Sequence, residues 1–180
     1  FVPSGATLYT AGQTFGNWIV DSGSIDLLAG SFWQAANGLQ SVDLNGVSTG
    51  SVYQDLATTP GQTYRLRFAM SGNPEGGSRL MQMEVWWDAT LIDIPSFDTT
   101  GHSDWDMEWG YREYAVVAST NTTRLRFKSL MNDCCWGPAL DDVWVSDSAL
   151  SIYTISGRVT DTSNNPISGV IISAGSDAST

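Results

Sequence analysis

The stretch Cys134-Cys-Trp-Gly-Pro-Ala-Leu-Asp-Asp-Val-Trp-Val145 combines a tight turn, two adjacent carboxylates and an alternating segment. Its Gly-Pro pair is typical of a turn. Leu140, Val143 and Val145 stand among polar neighbours, as in a β-strand that is buried on one face. This stretch therefore predicts a turn that leads into a closing strand of a β-sheet.

The rest of the chain up to this strand has the same character. Apolar and polar residues alternate in short segments that are separated by Gly, Ser and Asn, and no segment keeps helical periodicity for three turns. The predicted strands are Trp18–Val20, Ile25–Leu28, Val42–Leu44, Ser51–Leu56, Tyr64–Met70, Met83–Trp87, Tyr114–Ala118, Leu125–Phe127 and Leu140–Val145. Many short strands with turn residues between them predict an all-β antiparallel sandwich.

Three further motifs precede the closing stretch: Gly23-Ser-Ile-Asp-Leu-Leu28, Trp33-Gln-Ala-Ala-Asn-Gly38 and Ser71-Gly-Asn-Pro-Glu-Gly-Gly77. Together the four motifs resemble the choice-of-anchor C / DUF642-like family, whose members are extracellular, galactose-binding-like β-sandwiches. The resemblance covers roughly residues 15–147. It implies a jelly roll of two antiparallel sheets and a domain without catalytic activity.

The sequence changes character near Leu150. Residues 155–161, 164–169 and 170–174 read as strand, turn and strand, and they resemble the opening of a carboxypeptidase-regulatory-like domain, which is a small immunoglobulin-like sandwich. We predict a galactose-binding-like domain over residues 1–149 and a partial immunoglobulin-like segment over residues 150–180. Because a lone hairpin is marginally stable in water, the segment is expected to pack on the first domain, to be completed by another chain, or to belong to a longer protein.

The first strand expected from the resemblance, similar to Asn-Gly-Ser-Phe-Glu, has no match before Gly16. An unfilled strand position and a spare hairpin predict strand donation between subunits, and head-to-tail donation gives an open filament. The donated residues are predicted to be Ile155, Val159, Val170 and Ile172. The alternative is an ordinary proteolytic or cloning boundary at each end.

Composition excludes several classes of partner. The formal net charge of −11, with Lys128 as the single lysine, repels phosphate backbones, so nucleic acid is not expected as a partner. No apolar run approaches the ~20 residues of a membrane-spanning helix. The chain starts at Phe1 without a basic and apolar leader, which indicates a processed piece. Abundant Thr, Ser, Gly and Asn with little Lys indicates an extracellular or cell-surface protein.

The two cysteines, Cys134 and Cys135, are adjacent in sequence. In an oxidising compartment they are expected to form a vicinal disulfide that stiffens the turn; two free thiols, or a bond to another molecule, are the alternatives. Catalysis is not expected, because the chain has one histidine, His102, and lacks a Gly-x-Ser-x-Gly elbow, zinc-ligand spacing and a phosphate loop.

A structural calcium ion is implied by the resemblance. In galactose-binding-like modules an aspartate that opens the last strand helps to hold calcium, and Asp141, with Asp142 beside it, occupies the similar position. Carboxylate oxygens suit this cation. The alternative role for both residues is to cap turn amides.

Sugar binding would use exposed aromatic faces beside polar side chains. Trp86 is the first candidate because it shares a polar register with Gln82 and Glu84, followed by Trp105 in an acidic loop and Trp33 in a turn. For Trp86, contact with a protein partner and simple shielding on the sheet stay open. The remaining candidates for packing in the core or at a sheet edge are Trp18, Trp87, Trp109 and Trp144.

Two further surface features are visible in the sequence. Four arginines lie on polar registers of the predicted strands: Arg65, Arg67, Arg124 and Arg126. They form either a basic stripe for an acidic polysaccharide or ion pairs with carboxylates such as Glu84 and Glu113. Asn121-Thr-Thr is a sequon for N-glycosylation on a predicted turn.

Two functions are consistent with these features. The first is a structural or adhesive subunit at a cell surface, which self-associates into filaments by strand donation or binds neighbouring surface-protein domains. The second is a carbohydrate-binding module of a larger secreted or surface-anchored protein, with a polysaccharide as partner. The fold alone implies neither.

Overall fold

The computed structural model describes residues 5–77, 79–132, 134–147, 162, 163 and 165. These residues form thirteen strands. They are β1 (Ala6–Thr10), β2 (Thr14–Phe15), β3 (Trp18–Ser22), β4 (Ser24–Ala29), β5 (Gln40–Asp43), β6 (Ser51–Ala57), β7 (Thr63–Gly72), β8 (Leu80–Trp87), β9 (Thr90–Asp93), β10 (Ser96–Asp98), β11 (Gly110–Val117), β12 (Thr122–Ser129) and β13 (Pro138–Asp147). A 3₁₀-helix, Pro74–Gly76, is the sole helical element in the described part of the chain.

The strands form two antiparallel sheets. The first sheet has the order β1-β4-β5-β13-β7-β11, and the second has the order β10-β8-β12-β6-β3-β2, with β9 also paired to β8. The predicted all-β sandwich of the jelly-roll kind is therefore confirmed. Because β13 lies between β5 and β7 in the first sheet, the part of the Cys134–Val145 stretch that starts at Pro138 is an inner strand.

The main core lies between the two sheets and is made by period-two alternation. Leu66, Phe68 and Met70 of β7 are fully buried, whereas Arg65 and Arg67 face outward. Residues of the second sheet bury the opposite side in the same way, and the rings of Phe68 and Phe127 meet edge to face at 5.0 Å. The alternation read from the sequence therefore sets which face of each strand is buried.

Part of the outer face of the first sheet is also covered. Leu28 and Ala139 face away from the main core and pack with Trp33 and Met107, which come from the loops before β5 and before β11. Trp33 is fully buried, and its indole N–H donates to Ser41 Oγ at 2.5 Å. The prediction that Trp33 offers a face to sugar is wrong, because its ring covers an apolar part of the sheet.

A buried carboxylate ties three loops together at one end of this sheet. Asp43 is 1% exposed; its carboxylate accepts hydrogen bonds from the backbone N–H of Asn45 (2.8 Å) and from the side chain of Asn73 (2.8 Å). Asn73 also donates to the carbonyl of Cys135, and its own N–H donates to the carbonyl of Gly137. Asp43 therefore holds the turn before β13 against the rest of the sheet.

Most of the predicted immunoglobulin-like segment, including its strand-donating residues Ile155, Val159, Val170 and Ile172, lies outside the described residues. The domain boundary near residue 150 stays a prediction for the same reason. Within the part of the chain that is described, no helix has the length and apolar character to span a membrane.

Candidate functional site

The two covering loops leave part of the first sheet's outer face open, over β13, β7 and β11. Polar and aromatic side chains gather there, and we call this area the Tyr111–Trp144 surface. It consists of Asn37, Arg65, Arg67, Tyr111, Asp142 and Trp144. Tyr111 and Trp144 are 45% and 47% exposed. A depression of about 260 Å³ is lined by all of these residues except Tyr111.

A β-bulge in β13 shapes this surface. Asp141 pairs with Ala69 and Trp144 pairs with Arg67, so β13 has one residue more than β7 across the same span. Asp142 lies in the bulge with φ of 45°, a left-handed conformation that L-residues other than Asn and Asp seldom adopt. The bulge restores the alternation after Leu140, so Val143 and Val145 pack against the core while Trp144 faces outward.

Asp142 connects three elements through its side chain. Its Oδ1 accepts from the amide of Asn37 at 2.9 Å, and its Oδ2 accepts from the hydroxyl of Tyr111 at 3.1 Å. The guanidinium of Arg67 lies 3.8 Å from the same Oδ2. Partial burial and the bond to Asp142 raise the pKa of Tyr111, so its hydroxyl stays a donor. Asp142 thus fixes the positions of the Asn37 amide, the Tyr111 hydroxyl and the Arg67 guanidinium.

Asp141 has a different role beside it. Its Oδ2 accepts from the backbone N–H groups of Ala36 (2.8 Å) and Asn37 (3.0 Å), and its Oδ1 accepts from the N–H of Asp142 (2.6 Å). Burial raises the pKa of Asp141, and these three amides oppose that rise. The carboxylate therefore fixes the loop that carries Asn37.

The residues at the predicted calcium position do not fit a cation site. Every carboxylate oxygen of Asp141 and Asp142 already accepts from an N–H or O–H donor, and the Arg67 guanidinium lies beside them. Calcium needs several oxygens whose lone pairs point at the ion. Among the described residues, no group of three or more His, Cys, Asp or Glu side chains is placed to hold a metal. The arrangement fits the capping role that was the alternative.

Two arginines pack on the aromatic rings of this surface. Arg67 lies over the ring of Tyr111 with 4.0 Å between the guanidinium carbon and the ring centroid, and Arg65 lies 6.0 Å from the Trp144 centroid. The Nε and Nη2 of Arg65 each donate at 2.5 Å to one oxygen of Glu113. Because the Arg65 contact is distant, the ring of Trp144 is the more open of the two.

A second depression, of about 330 Å³, borders the Tyr111–Trp144 surface on the side of the covering loops. Gln34 joins those loops, because its N–H donates to the carbonyl of Asp104 and its carbonyl accepts from the Trp109 indole. Glu108 and Tyr111 complete the rim. Trp105, the second sugar-binding candidate, is 67% exposed on the same loop.

The first sugar-binding candidate lies on the other sheet. Trp86 is half-buried, its indole N–H donates to Glu84 Oε2 at 2.9 Å, and the guanidinium of Arg126 lies 5.0 Å from its ring centroid. Glu84 is also 3.8 Å from Lys128, and Gln82 is half-buried on the same strand. Trp86 therefore packs beside Arg126 and Glu84, and its role in sugar or partner binding stays a prediction.

The arginines on polar registers are paired with carboxylates, which agrees with the ion-pair alternative and not with a basic stripe. Arg65 pairs with Glu113, and Arg124 pairs with Asp55 through two bonds of 2.7 and 2.8 Å. Arg126 lies 3.7 Å from Asp21. Asn121 is exposed in the turn before β12, and its glycosylation stays a prediction.

The cysteines lie in a strained turn. The N–H of Trp136 donates to the carbonyl of Cys134 at 3.0 Å, which closes a three-residue turn around Cys135 with a positive φ of 78°. Both cysteines are free thiols in the structure, so the predicted vicinal disulfide is not formed in it. The pKa of the Cys135 thiol is raised to about 11, mainly by a hydrogen bond with the Cys134 side chain and then by burial.

The bulge leads to a testable prediction. The variants Asp142→Gly and Asp142→Ala lose the same contacts to Asn37 and Tyr111, but alanine keeps the cost of a left-handed backbone, which is roughly 1 kcal/mol. We expect Asp142→Gly to be more stable than Asp142→Ala by about that amount in urea unfolding followed by tryptophan fluorescence. Equal stabilities would show that residue 142 does not need the left-handed conformation.

From the sequence, Trp144 was predicted to pack in the core or at a sheet edge, and Tyr111 and Asn37 were not predicted as site residues. The structure corrects the first point, because Trp144 is nearly half exposed. One signal was present: Trp144 stands between Val143 and Val145, so period-two alternation with two buried valines turns it outward. The grouping of Asn37 and Tyr111 with Asp142 had no such signal, because those residues are separated by 105 and 31 positions.

A family model and a curated protein are similar to this chain in sequence. The family model described as "Protein of unknown function (DUF642)" matches residues 3–146. Halomucin of Haloquadratum walsbyi is 24% identical over 168 residues, which is 92% of this chain. The chain spans 2% of the length of halomucin.

Solved structures share the fold. The module TmCBM61, solved with β-1,4-galactotriose, has a TM-score of 0.53 and 18% identity; the match covers 76% of this chain and 92% of that one. A family 35 carbohydrate-binding module from an environmental isolate has a TM-score of 0.50 and 16% identity, with 79% and 93% covered. At these identities the likeness concerns the fold.

Proposed function

The chain belongs to the DUF642 family, and from this premise we propose that it is a non-catalytic, extracellular carbohydrate-binding module. The observation that carries the proposal is the Tyr111–Trp144 surface. Two aromatic rings that are nearly half exposed stand there beside an amide, a carboxylate and two guanidinium groups. Aromatic faces stack on the apolar faces of pyranose rings, while polar groups at the edge bind hydroxyls.

The shared fold supports the same proposal. The two solved structures described above are named as carbohydrate-binding modules, and one of them was solved with a galactose trisaccharide. Folds host many functions, so the proposal depends on the surface and takes the fold as support. An extracellular location is part of the same proposal, and the abundance of Thr, Ser, Gly and Asn with a single Lys supports it.

The first of the two functions predicted from sequence, a structural subunit that polymerises by strand donation, has less support. Its donating residues lie outside the described residues, and no relative reported above is named as a filament protein. Self-association therefore stays a prediction. The carbohydrate-binding alternative is the better supported one.

Trp144→Ala is expected to weaken binding to soluble glycans about tenfold, because a stacked aromatic ring contributes roughly 1 kcal/mol or more. Affinity electrophoresis against a glycan panel measures this change. Trp86→Ala is the matched control, since it removes the same side chain from the outer face of the other sheet. Equal loss in both variants, or no glycan binding by the unmodified chain, would contradict the proposal.

A further inference from the structure

The charges on the Tyr111–Trp144 surface limit which glycans it can bind. Arg65 and Arg67 are the cations in the described part of this surface. An arginine binds a uronate or sulfate strongly when its N–H groups are free to make paired bonds to the anion. The ligand class therefore depends on whether these guanidinium groups already have partners.

Arg65 has such a partner. Its Nε and Nη2 each bind one oxygen of Glu113, which is the two-bond geometry that an anionic ligand would need. This pair also lowers the pKa of Glu113, so the carboxylate stays ionised at neutral pH. An acidic sugar would have to displace Glu113 to reach this side of the guanidinium.

Arg67 also has partners, a carboxylate and an aromatic ring. Its guanidinium lies on the ring of Tyr111 and 3.8 Å from Asp142 Oδ2, so a carboxylate already balances its charge. The bordering depression adds Asp106 and Glu108 and no cation among the described residues that line it. The local charge is thus zero or negative, and the whole chain carries −11. A polyanion approaching this face meets repulsion.

Neutral hydroxyls fit the same groups. The amide of Asn37 and the hydroxyl of Tyr111 have remaining capacity to donate or accept, and the ring of Trp144 is open. We infer that the ligand of the Tyr111–Trp144 surface is an uncharged glycan, that Arg67 positions the ring of Tyr111, and that Arg65 is held by Glu113. This inference rests on the proposed function and specifies its substrate class.

The first experiment compares neutral and acidic polymers on the full chain. Affinity electrophoresis is run with β-1,4-galactan, xyloglucan and mannan as neutral probes, and with polygalacturonate and alginate as acidic probes. We expect binding to at least one neutral polymer, unchanged between 50 and 500 mM NaCl (about 14 to 4 Å of Debye screening), and binding to acidic polymers at least tenfold weaker. Preferential binding of an acidic polymer that salt abolishes overturns the inference and leaves the proposed function intact. No binding to any polymer overturns both.

The second experiment frees one arginine. Glu113→Gln removes the carboxylate that occupies Arg65, so affinity for polygalacturonate is expected to rise about tenfold, since a charge-assisted bond becomes available. Asp55→Asn is the matched control, because it frees Arg124, which has the same two-bond pairing and lies over an aromatic ring, that of Tyr53, on the other sheet. A rise in both variants would indicate a general charge effect and overturn the assignment to this surface; no rise in Glu113→Gln overturns it too.

Discussion

Replacing Gly137 with alanine is expected to destabilise the protein by about 3 kcal/mol or more, the upper part of the usual range for overpacking. A Cβ at this position would lie 2.5 Å from Asp43 Oδ1 and 2.7 Å from the backbone nitrogen of Asn45. Backbone atoms cannot rotate away as a flexible side chain can. The change would therefore push the turn away from Asp43 and weaken the hydrogen bonds that hold three loops.

Urea unfolding followed by tryptophan fluorescence measures this loss. Gly30→Ala is the matched control, because the nearest atom to its added Cβ is a carbonyl oxygen at 3.5 Å, an ordinary contact distance. The control is expected to stay close to the parent chain. A Gly137→Ala variant as stable as Gly30→Ala would show that the close packing against Asp43 is not needed.

Stability is expected to fall as pH rises from about 4 to about 7. Burial raises the pKa of Asp43 to about 7, and the neighbouring charge of Asp26 adds to the rise, while the bonds from Asn73, Asn45 and Gly137 oppose it. The unfolded value is about 3.9. Between the two values the folded protein binds more protons than the unfolded chain, so the free energy of unfolding decreases with increasing pH. A difference of about three pKa units corresponds to about 4 kcal/mol.

Two variants test the origin of this pH dependence in urea unfolding at pH 4.5 and 7.5. Asp43→Asn cannot titrate, so its stability is expected to vary much less between these pH values, whatever its absolute stability. Asp26→Asn removes the neighbouring charge and shifts the fall to lower pH, because the pKa of Asp43 then decreases. A parent chain that is equally stable at both pH values would contradict the assignment. The lowered pKa values of Asp55 and Glu113 act at more acidic pH and in the opposite sense.

Much of the fold was readable from sequence because burial in a sheet repeats every two residues. The alternation around Leu66 and around Met83 correctly predicted which face of β7 and β8 is buried. The short strands β1, β2, β9 and β10 were not predicted, since they lie at or near sheet edges and have few buried side chains. The bulge left a trace as well: Leu140 and Val143 are three positions apart, which a regular strand cannot place on one face.

The functional site was harder to predict from the sequence than the fold. Trp86 and Trp33 were predicted from their neighbours along the chain, but Trp86 is half-buried beside Arg126 and Trp33 is fully buried. Whether an aromatic side chain is free depends on what lies across the sheet and above it. Such neighbours come from distant parts of the chain, as Ser41 and Met107 do for Trp33.

The sequence by itself determined the sandwich and the inward or outward direction of most strand residues, because these follow from a local period of two. Its four motifs indicated the family by resemblance. Only the tertiary structure decided that Asn37, Tyr111 and Asp142 share one surface, and that Asp43 is buried. The physical reason is that antiparallel pairing joins segments far apart in sequence, and the contacts that result decide which polar groups are exposed, paired or buried.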